Sequence, residues 1–378
     1  MQARIEDAIT LLQGACGQVF PGAVLHVWQG NDPVLSLAVG STALFQNGTL
    51  VEEQTVFDLA SLTKPLVTTA ILMMLVDEGL VCLNDPIGKH LKWLAGSPVA
   101  DRTLSSLLSH ASGLPAWRPY GEEAIARHGL GIAGTATIRA SVKETLAGES
   151  LHPVGTVSAY SDLGFMLLGW LVETLRGQPL DEAFADAIAR PLGLHRTFFV
   201  RIREGRPTKI PCPLQAIAAT EVLPTRGGLI QGVVHDDNAF VLGGVAGHAG
   251  LFSTASEVAK ILYAMLDAWR GREDGLWRPE TVRRFWSSSG DGPAGSTWRL
   301  GFDTPSSVAS SCGSHPPEGA IGHLGFTGTS FWLHPPTGTG IVLLTNRVHP
   351  SRANEAIKTF RPRIHDEIWD ALGMHHSP

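Results

Sequence analysis

The chain has 378 residues, 44% of them hydrophobic and 17% charged, which supports one large core or two lobes and excludes a disordered protein. Its formal net charge is −6 and it has no Lys/Arg block, so it carries no electrostatic footprint for nucleic acid or for an anionic membrane surface. Four scattered cysteines, Cys16, Cys82, Cys212 and Cys312, form no Cys-x-x-Cys pair and read as free thiols rather than a disulfide framework or a thiolate zinc site.

The N-terminus carries Glu6 and Asp7 where an export signal would need a basic start and an unbroken apolar stretch, so the expected location is cytoplasmic. Apolar residues at helical spacing over 3–14, ended by Gly14, predict a first helix. Segments 23–29 and 33–39, separated by Gly30, Asn31 and Asp32, predict a β-hairpin, with a third strand before Asn47-Gly48. Asn47-Gly48-Thr49 also matches a glycosylation sequon, but without an export signal the turn is the better reading.

From residue 59 to 252 the pattern turns helical. Helices are predicted over 66–78, 104–110, 138–146, 163–176 and 180–189, joined by Gly/Pro-rich loops with no strand ladder between them. The run Leu66 to Val76 is apolar on nearly every face, so it predicts a buried central helix, and it is far short of the ~20 residues of a membrane span. Pro65 sets the start of the regular helix near residue 64 or 65 and leaves Ser61 in the turn before it. Helices over 257–270 and 280–286 follow, then strands over 296–302, 319–325, 330–334 and 340–346 and a last helix over 353–372. The expected architecture is α+β: an antiparallel sheet domain from residues 1–58 and 253–378, flanked by helices, with an all-helical lobe of residues 59–252 inserted into it.

Three short segments carry chemistry. In Ser61-Leu62-Thr63-Lys64 a hydroxyl and an ammonium three residues apart share one helical face, a spacing that can activate a serine as nucleophile. Tyr160-Ser161-Asp162 stands ahead of a helix, where Ser161 or Asp162 can also serve as its cap. His323-Leu324-Gly325-Phe326-Thr327-Gly328-Thr329 places a basic side chain and glycines in a strand-like stretch. His235, Asp236, Asp237 and His248 lack a tight ligand pattern, so capping by Asp236 or Asp237 is preferred to a metal site, and His375-His376 falls in a frayed tail. No Gly-x-Ser-x-Gly elbow is present.

In order and spacing, these segments resemble the penicillin-binding protein and serine β-lactamase superfamily, in the branch of class C β-lactamases, D-alanyl-D-alanine carboxypeptidases, D-aminopeptidases and related esterases. Leu107-Leu108-Ser109-His110-Ala111-Ser112-Gly113-Leu114-Pro115 and the glycine-rich stretch 243–254 add to the likeness, which covers most of the chain. The resemblance implies a β-lactamase/transpeptidase-like fold and an acyl-enzyme at Ser61. Lys64 and Tyr160 would share the proton traffic, a phenolate at Tyr160 being favoured by Lys64 and a protonated His323. Asp162, His323, Gly325 and Phe326 would contact substrate, and the Ser61 and Phe326 backbone N–H groups would form an oxyanion hole worth about 3 to 4 kcal/mol per donor. No cofactor is implied.

Two residues depart from the pattern. Asp162 stands where many β-lactamases have asparagine, and His323 where they have the lysine of Lys-Thr-Gly. An aspartate holds Lys64 protonated and offers no N–H to a substrate amide, and a histidine is only partly charged near neutral pH. Small esters, amides and D-amino-acid peptides are therefore the expected substrates ahead of a true class C β-lactamase activity. A binding or sensor protein that retains the fold without turnover is the alternative from another class. Loops 117–134 and 204–232 are expected to set substrate choice.

Overall fold

The computed structural model describes residues 2–30, 32–44, 48–128 and 135–374. Helix α1 (Gln2–Ala15) leads into the hairpin β1 (Gly22–Gln29) and β2 (Asp32–Gly40). The buried helix continues as α2 (Ala70–Asp77), followed by α3 (Asp162–Arg176) and α4 (Ala255–Arg270). Strands β3 (Ile321–Leu324), β4 (Ser330–His334) and β5 (Thr339–Thr345) precede the last helix, α5 (Ile357–Ala371). All five strands form one antiparallel sheet in the order β3-β4-β5-β1-β2. The two ends of the chain meet where β1 pairs with β5, Leu25 opposite Leu343 and Val27 opposite Ile341.

Strand alternation assigns each residue to a face. Ala23, Leu25 and Val27 with Ile341 and Leu343 pack outward on Leu12, Phe360, Ile364 and Trp369 of the terminal helices. Val24, Trp28, Val342 and Leu344 point the other way, onto Leu66, Ile71, Val258 and Leu262. The sheet is thus buried on both faces, and β3, at one end of it, lies beside the turn that holds Ser61.

The buried helix is longer than its apolar run. A 3-10 turn (Ala60–Leu62), a π turn (Lys64–Thr69) and α2 make an almost continuous helical path to Asp77. By length and composition this path would reach across a membrane, but 83% of it is buried inside the fold. Pro65 has no N–H to give to the helix ladder, which accords with a widened first turn before the regular α-helix at Ala70.

Several expectations change. Residues 296–302 form a turn rather than a strand: Arg299 N–H bonds Phe302 O at 2.8 Å, Gly301 has φ +83°, and only Asp303 bridges back to Gly322 of β3. The helical region is not free of strands, because Phe57–Asp58, Leu251–Ser253 and Phe198–Phe199 make a small sheet and two two-residue pairings lie within 202–229. Tyr120–His128 is a helix inside the expected loop 117–134, with Glu122 and Glu123 in its first turn. Asn47 of the expected turn, the loop end 129–134 and His375 and His376 lie outside the described residues.

Candidate active site

The segment before Ser61 is fixed by a buried carboxylate. Asp58 accepts the Ala60 N–H at 2.8 Å and the His235 N–H at 2.7 Å. Burial raises its pKa, and these two donors oppose that rise. Ala60 is thereby held at φ +48°, a left-handed conformation that a non-glycine residue adopts only when its surroundings impose it. The chain turns sharply there and presents Ser61 at the start of the 3-10 turn, on the wall of a cleft of about 650 Å³.

Lys64 lies beneath Ser61 with its side chain wholly buried. Its Nζ donates to Ser61 Oγ at 2.9 Å and to His248 O at 3.1 Å, and stands 2.7 Å from Asp162 Oδ1. Three acceptors match the three donors of an ammonium. Burial is the largest influence and disfavours the charge, but the Asp162 carboxylate and the Tyr160 phenol outweigh it and hold the pKa above the ordinary lysine value. Lys64 is an ammonium at neutral pH.

Tyr160 brings its ring to 4.8 Å from Lys64 Nζ, and its phenol also interacts with Ser61. Burial raises the phenol more than Lys64 lowers it, with Asp162 adding to the rise. At neutral pH the balance favours the neutral phenol over the phenolate that Lys64 alone would favour. His323 Nδ1–H donates to Leu324 O at 2.8 Å, and burial, followed by the charge of Lys64, depresses the His323 pKa to about 3. His323 is therefore neutral rather than partly charged, and it offers no cation to Tyr160 or to a substrate.

The groups that aim Tyr160 have no individual role in the sequence motifs. His110, itself at φ +54°, accepts the Ser161 N–H on Nδ1 at 3.0 Å, and its ring lies 4.7 Å from that of Tyr160. Trp298 packs against both rings, 4.5 Å from His110 and 5.2 Å from Tyr160, and lies 5.6 Å from His323. Ser161 caps α3 by accepting the Gly164 N–H at 3.3 Å, so Asp162 in the first turn remains free to pair with Lys64.

The turn after β3 is tied to the nucleophile segment. Thr327 Oγ1 donates to Asp58 O at 2.7 Å and Thr329 Oγ1 to Leu59 O at 3.0 Å. Gly325 is needed at this approach, since a Cβ would lie 2.6 Å from Leu59 O and collide with Thr329 Oγ1. Arg347, just past β5, donates from Nε and Nη2 to Phe326 O at 2.9 and 2.6 Å, which fixes the orientation of that residue's backbone. Among the described residues, neither the Ser61 nor the Phe326 backbone N–H donates to another backbone or side-chain group.

All seven residues singled out in the sequence converge: Ser61, Tyr160, Asp162, His323, Gly325 and Phe326 line the cleft and Lys64 underlies it. Asp236 caps the short helix 237–241 through the Ala239 N–H and pairs with His248 at 2.9 Å. Among the described residues no group of three or more His, Cys, Asp or Glu is placed to hold a metal ion.

The sequence pattern of the beta-lactamase family matches residues 5–362. The chain belongs to the beta-lactamase family. An Escherichia coli K12 protein provisionally named a D-alanyl-D-alanine carboxypeptidase is 33% identical over 356 residues, which are 87% of this chain and 79% of that protein. An N-acetylmuramyl-L-alanine amidase of Bacillus subtilis is also 33% identical, over 87% of this chain and 78% of its own. Among solved structures, EstCE1, a hydrolase with promiscuous acyltransferase activity, superposes with a TM-score of 0.73 at 19% identity, covering 97% of this chain and 99% of its own. The octameric penicillin-binding protein homologue from Pyrococcus abyssi gives 0.71 at 19% identity over 98% of this chain and 78% of its own. This member of the beta-lactamase family is a serine hydrolase with a β-lactamase/transpeptidase-like fold.

Proposed function

We propose that the protein hydrolyses an amide bond in a small D-amino-acid or cell-wall-derived peptide through an acyl-enzyme on Ser61. The observation that carries this reading is the Ser61–Lys64–Asp162 chain, with contacts of 2.9 and 2.7 Å, next to a neutral Tyr160. Ser61 Oγ attacks the carbonyl while its proton is relayed through the Lys64 ammonium to the Asp162 carboxylate, the member of the Lys64–Asp162–Tyr160 set that can accept it. The carbonyl oxygen takes up charge against the Ser61 and Phe326 N–H groups. Protonation of the departing nitrogen falls to the Tyr160 hydroxyl. A resting phenol suits that step, since an amide nitrogen cannot leave without a proton. Water then attacks the acyl-Ser61 carbonyl, and Ser61 regains its proton as the acid is released. The amide reading is supported by the names of two sequence relatives, a carboxypeptidase and an amidase.

Carboxylester hydrolysis is the second reading, favoured by the likeness to EstCE1 and by the lack of a cation at His323. Efficient β-lactam hydrolysis is disfavoured by that same neutral imidazole and by Asp162, which gives no N–H to a substrate amide. The deciding experiment compares kcat/KM for p-nitrophenyl esters, D-alanyl peptides, an N-acetylmuramyl-L-alanine peptide and a chromogenic cephalosporin. Turnover of a peptide substrate abolished by Ser61→Ala supports the proposal. Ester turnover with no cleavage of any peptide refutes it in favour of the second reading.

A further inference from the structure

We infer that Asp236 and His248 act together as positioning residues for the nucleophile: their side-chain pair fixes the His248 carbonyl, which in turn holds the Lys64 ammonium beneath Ser61. This rests on the hydrolase reading above and extends it to two side chains that the reaction itself does not use. His248 is 1% exposed, so it cannot meet a substrate, and Lys64 Nζ reaches its backbone O at 3.1 Å. That carbonyl sits in a stretch with little else to hold it. Among the described residues, the N–H groups of 245–249 donate no backbone–backbone hydrogen bond. Gly247 O accepts the Thr68 hydroxyl at 2.6 Å, but between Val245 and Gly250 the imidazole is the one polar side chain available as an anchor.

The pair has a defined polarity. Burial opposes charge on Asp236 more than any other influence, but His248, the Ala239 N–H and Lys64 together outweigh it and hold the carboxyl below its ordinary pKa. An ionised carboxylate only accepts, so His248 donates from Nε2 to Asp236 Oδ1 at 2.9 Å. His248 Nδ1 is buried with no partner among the described residues, which leaves Asp236 as the polar anchor of the ring. Asp236 is itself fixed, by the Ala239 N–H at 2.7 Å and by the neighbouring His235 N–H, which Asp58 accepts at 2.7 Å. Buried Arg226 clamps the same segment through Val234 O and His235 O at 2.9 and 3.0 Å. Since Asp58 also takes the Ala60 N–H, the contacts close a ring that runs from Lys64 through His248, Asp236 and Asp58 back to Ser61. A misplacement of about 1 Å at a reacting group can cost about 100-fold in rate, so slack in this ring reaches the nucleophile. Asp236 also lines the cleft, which makes buried His248 the residue that separates positioning from substrate contact.

The test is steady-state kinetics on p-nitrophenyl butyrate with the full-length protein. His248→Leu, which removes the imidazole and keeps an apolar side chain of similar volume, should lower kcat about 10- to 100-fold with little change in KM. His248→Gln, whose amide N–H extends about as far as imidazole Nε2, should restore kcat to within about 3-fold of the wild type. Asp236→Ser keeps a hydroxyl to cap the helix 237–241 but is too short to reach His248, so it should lower kcat as His248→Leu does. Because either change breaks the same bond, the double variant should lose no more kcat than the worse single one. If His248→Leu fails to fold, Asp236→Ser decides alone. A kcat within about 2-fold of the wild type in the deciding variant, a loss that His248→Gln does not restore, or losses that multiply in the double variant would each overturn the proposal. Ester turnover that Ser61→Ala does not reduce would instead overturn the hydrolase reading.

Discussion

Asp162→Asn probes the electrostatics of the site most directly. Lys64 Nζ and Asp162 Oδ1 are 2.7 Å apart, so at an effective dielectric near 20 their attraction is about 6 kcal/mol before the desolvation of either ion is subtracted. Removing one partner of a buried pair costs about 3–5 kcal/mol, because the other charge is left uncompensated. Lys64 can escape part of this by releasing its proton, so the expected loss of stability is about 2–4 kcal/mol near pH 6 and shrinks as the pH rises. The sign follows from linkage: the native pair raises the lysine pKa, so its contribution is complete at neutral pH and is lost only on titration through the raised value. The same change makes neutral Lys64 easier to reach. The acid limb of kcat/KM for an activated ester should therefore move to lower pH, and cephalosporin hydrolysis should rise because asparagine also supplies an N–H donor. Urea unfolding at pH 6 and 8, with pH–rate profiles, measures both effects. An acid limb that stays in place or moves upward, or a cephalosporin rate that does not rise, would refute this reasoning.

Arg347→Gln should release the Phe326 backbone and lower kcat about 10- to 100-fold with little change in KM, as steady-state kinetics on one ester would show; an unchanged kcat contradicts the positioning role. Tyr160→Phe should slow amide cleavage by about 100-fold or more while sparing a p-nitrophenyl ester, whose leaving group departs without a proton; equal losses on both substrates would remove Tyr160 as the donor. Stability should fall as the pH drops from about 6.5 toward 3. Burial depresses His323 and His365 to about 3, so the unfolded chain gains their protons first, at about 1.4 kcal/mol per pH unit for each. Asp303, raised to about 6 by burial, acts in the opposite direction and offsets part of this. Urea midpoints at pH 7 and pH 5 check the net sign, and a higher midpoint at pH 5 would contradict it.

The residues that meet at Ser61 were legible because each belongs to a short local pattern: Ser-x-x-Lys ahead of an apolar helix, Tyr-x-Asp ahead of another, and a glycine-rich turn after a strand. The alternation in β1 and β5 likewise revealed the sheet. Charge states were not legible, since the neutrality of His323 and Tyr160 follows from burial by distant elements. Pairings such as Phe198–Phe199 with Leu251–Ser253 are too short to show any alternation, and the turn at 298–303 looks strand-like until Gly301 reverses it.

The central claim is that Ser61 takes up the acyl group. Intact-protein mass spectrometry after acid quenching of a reaction with p-nitrophenyl acetate should show one added acetyl group, localised by peptide mapping to the segment containing Ser61 and absent from Ser61→Ala. An adduct that persists in Ser61→Ala, or one mapped to another residue, would contradict the account.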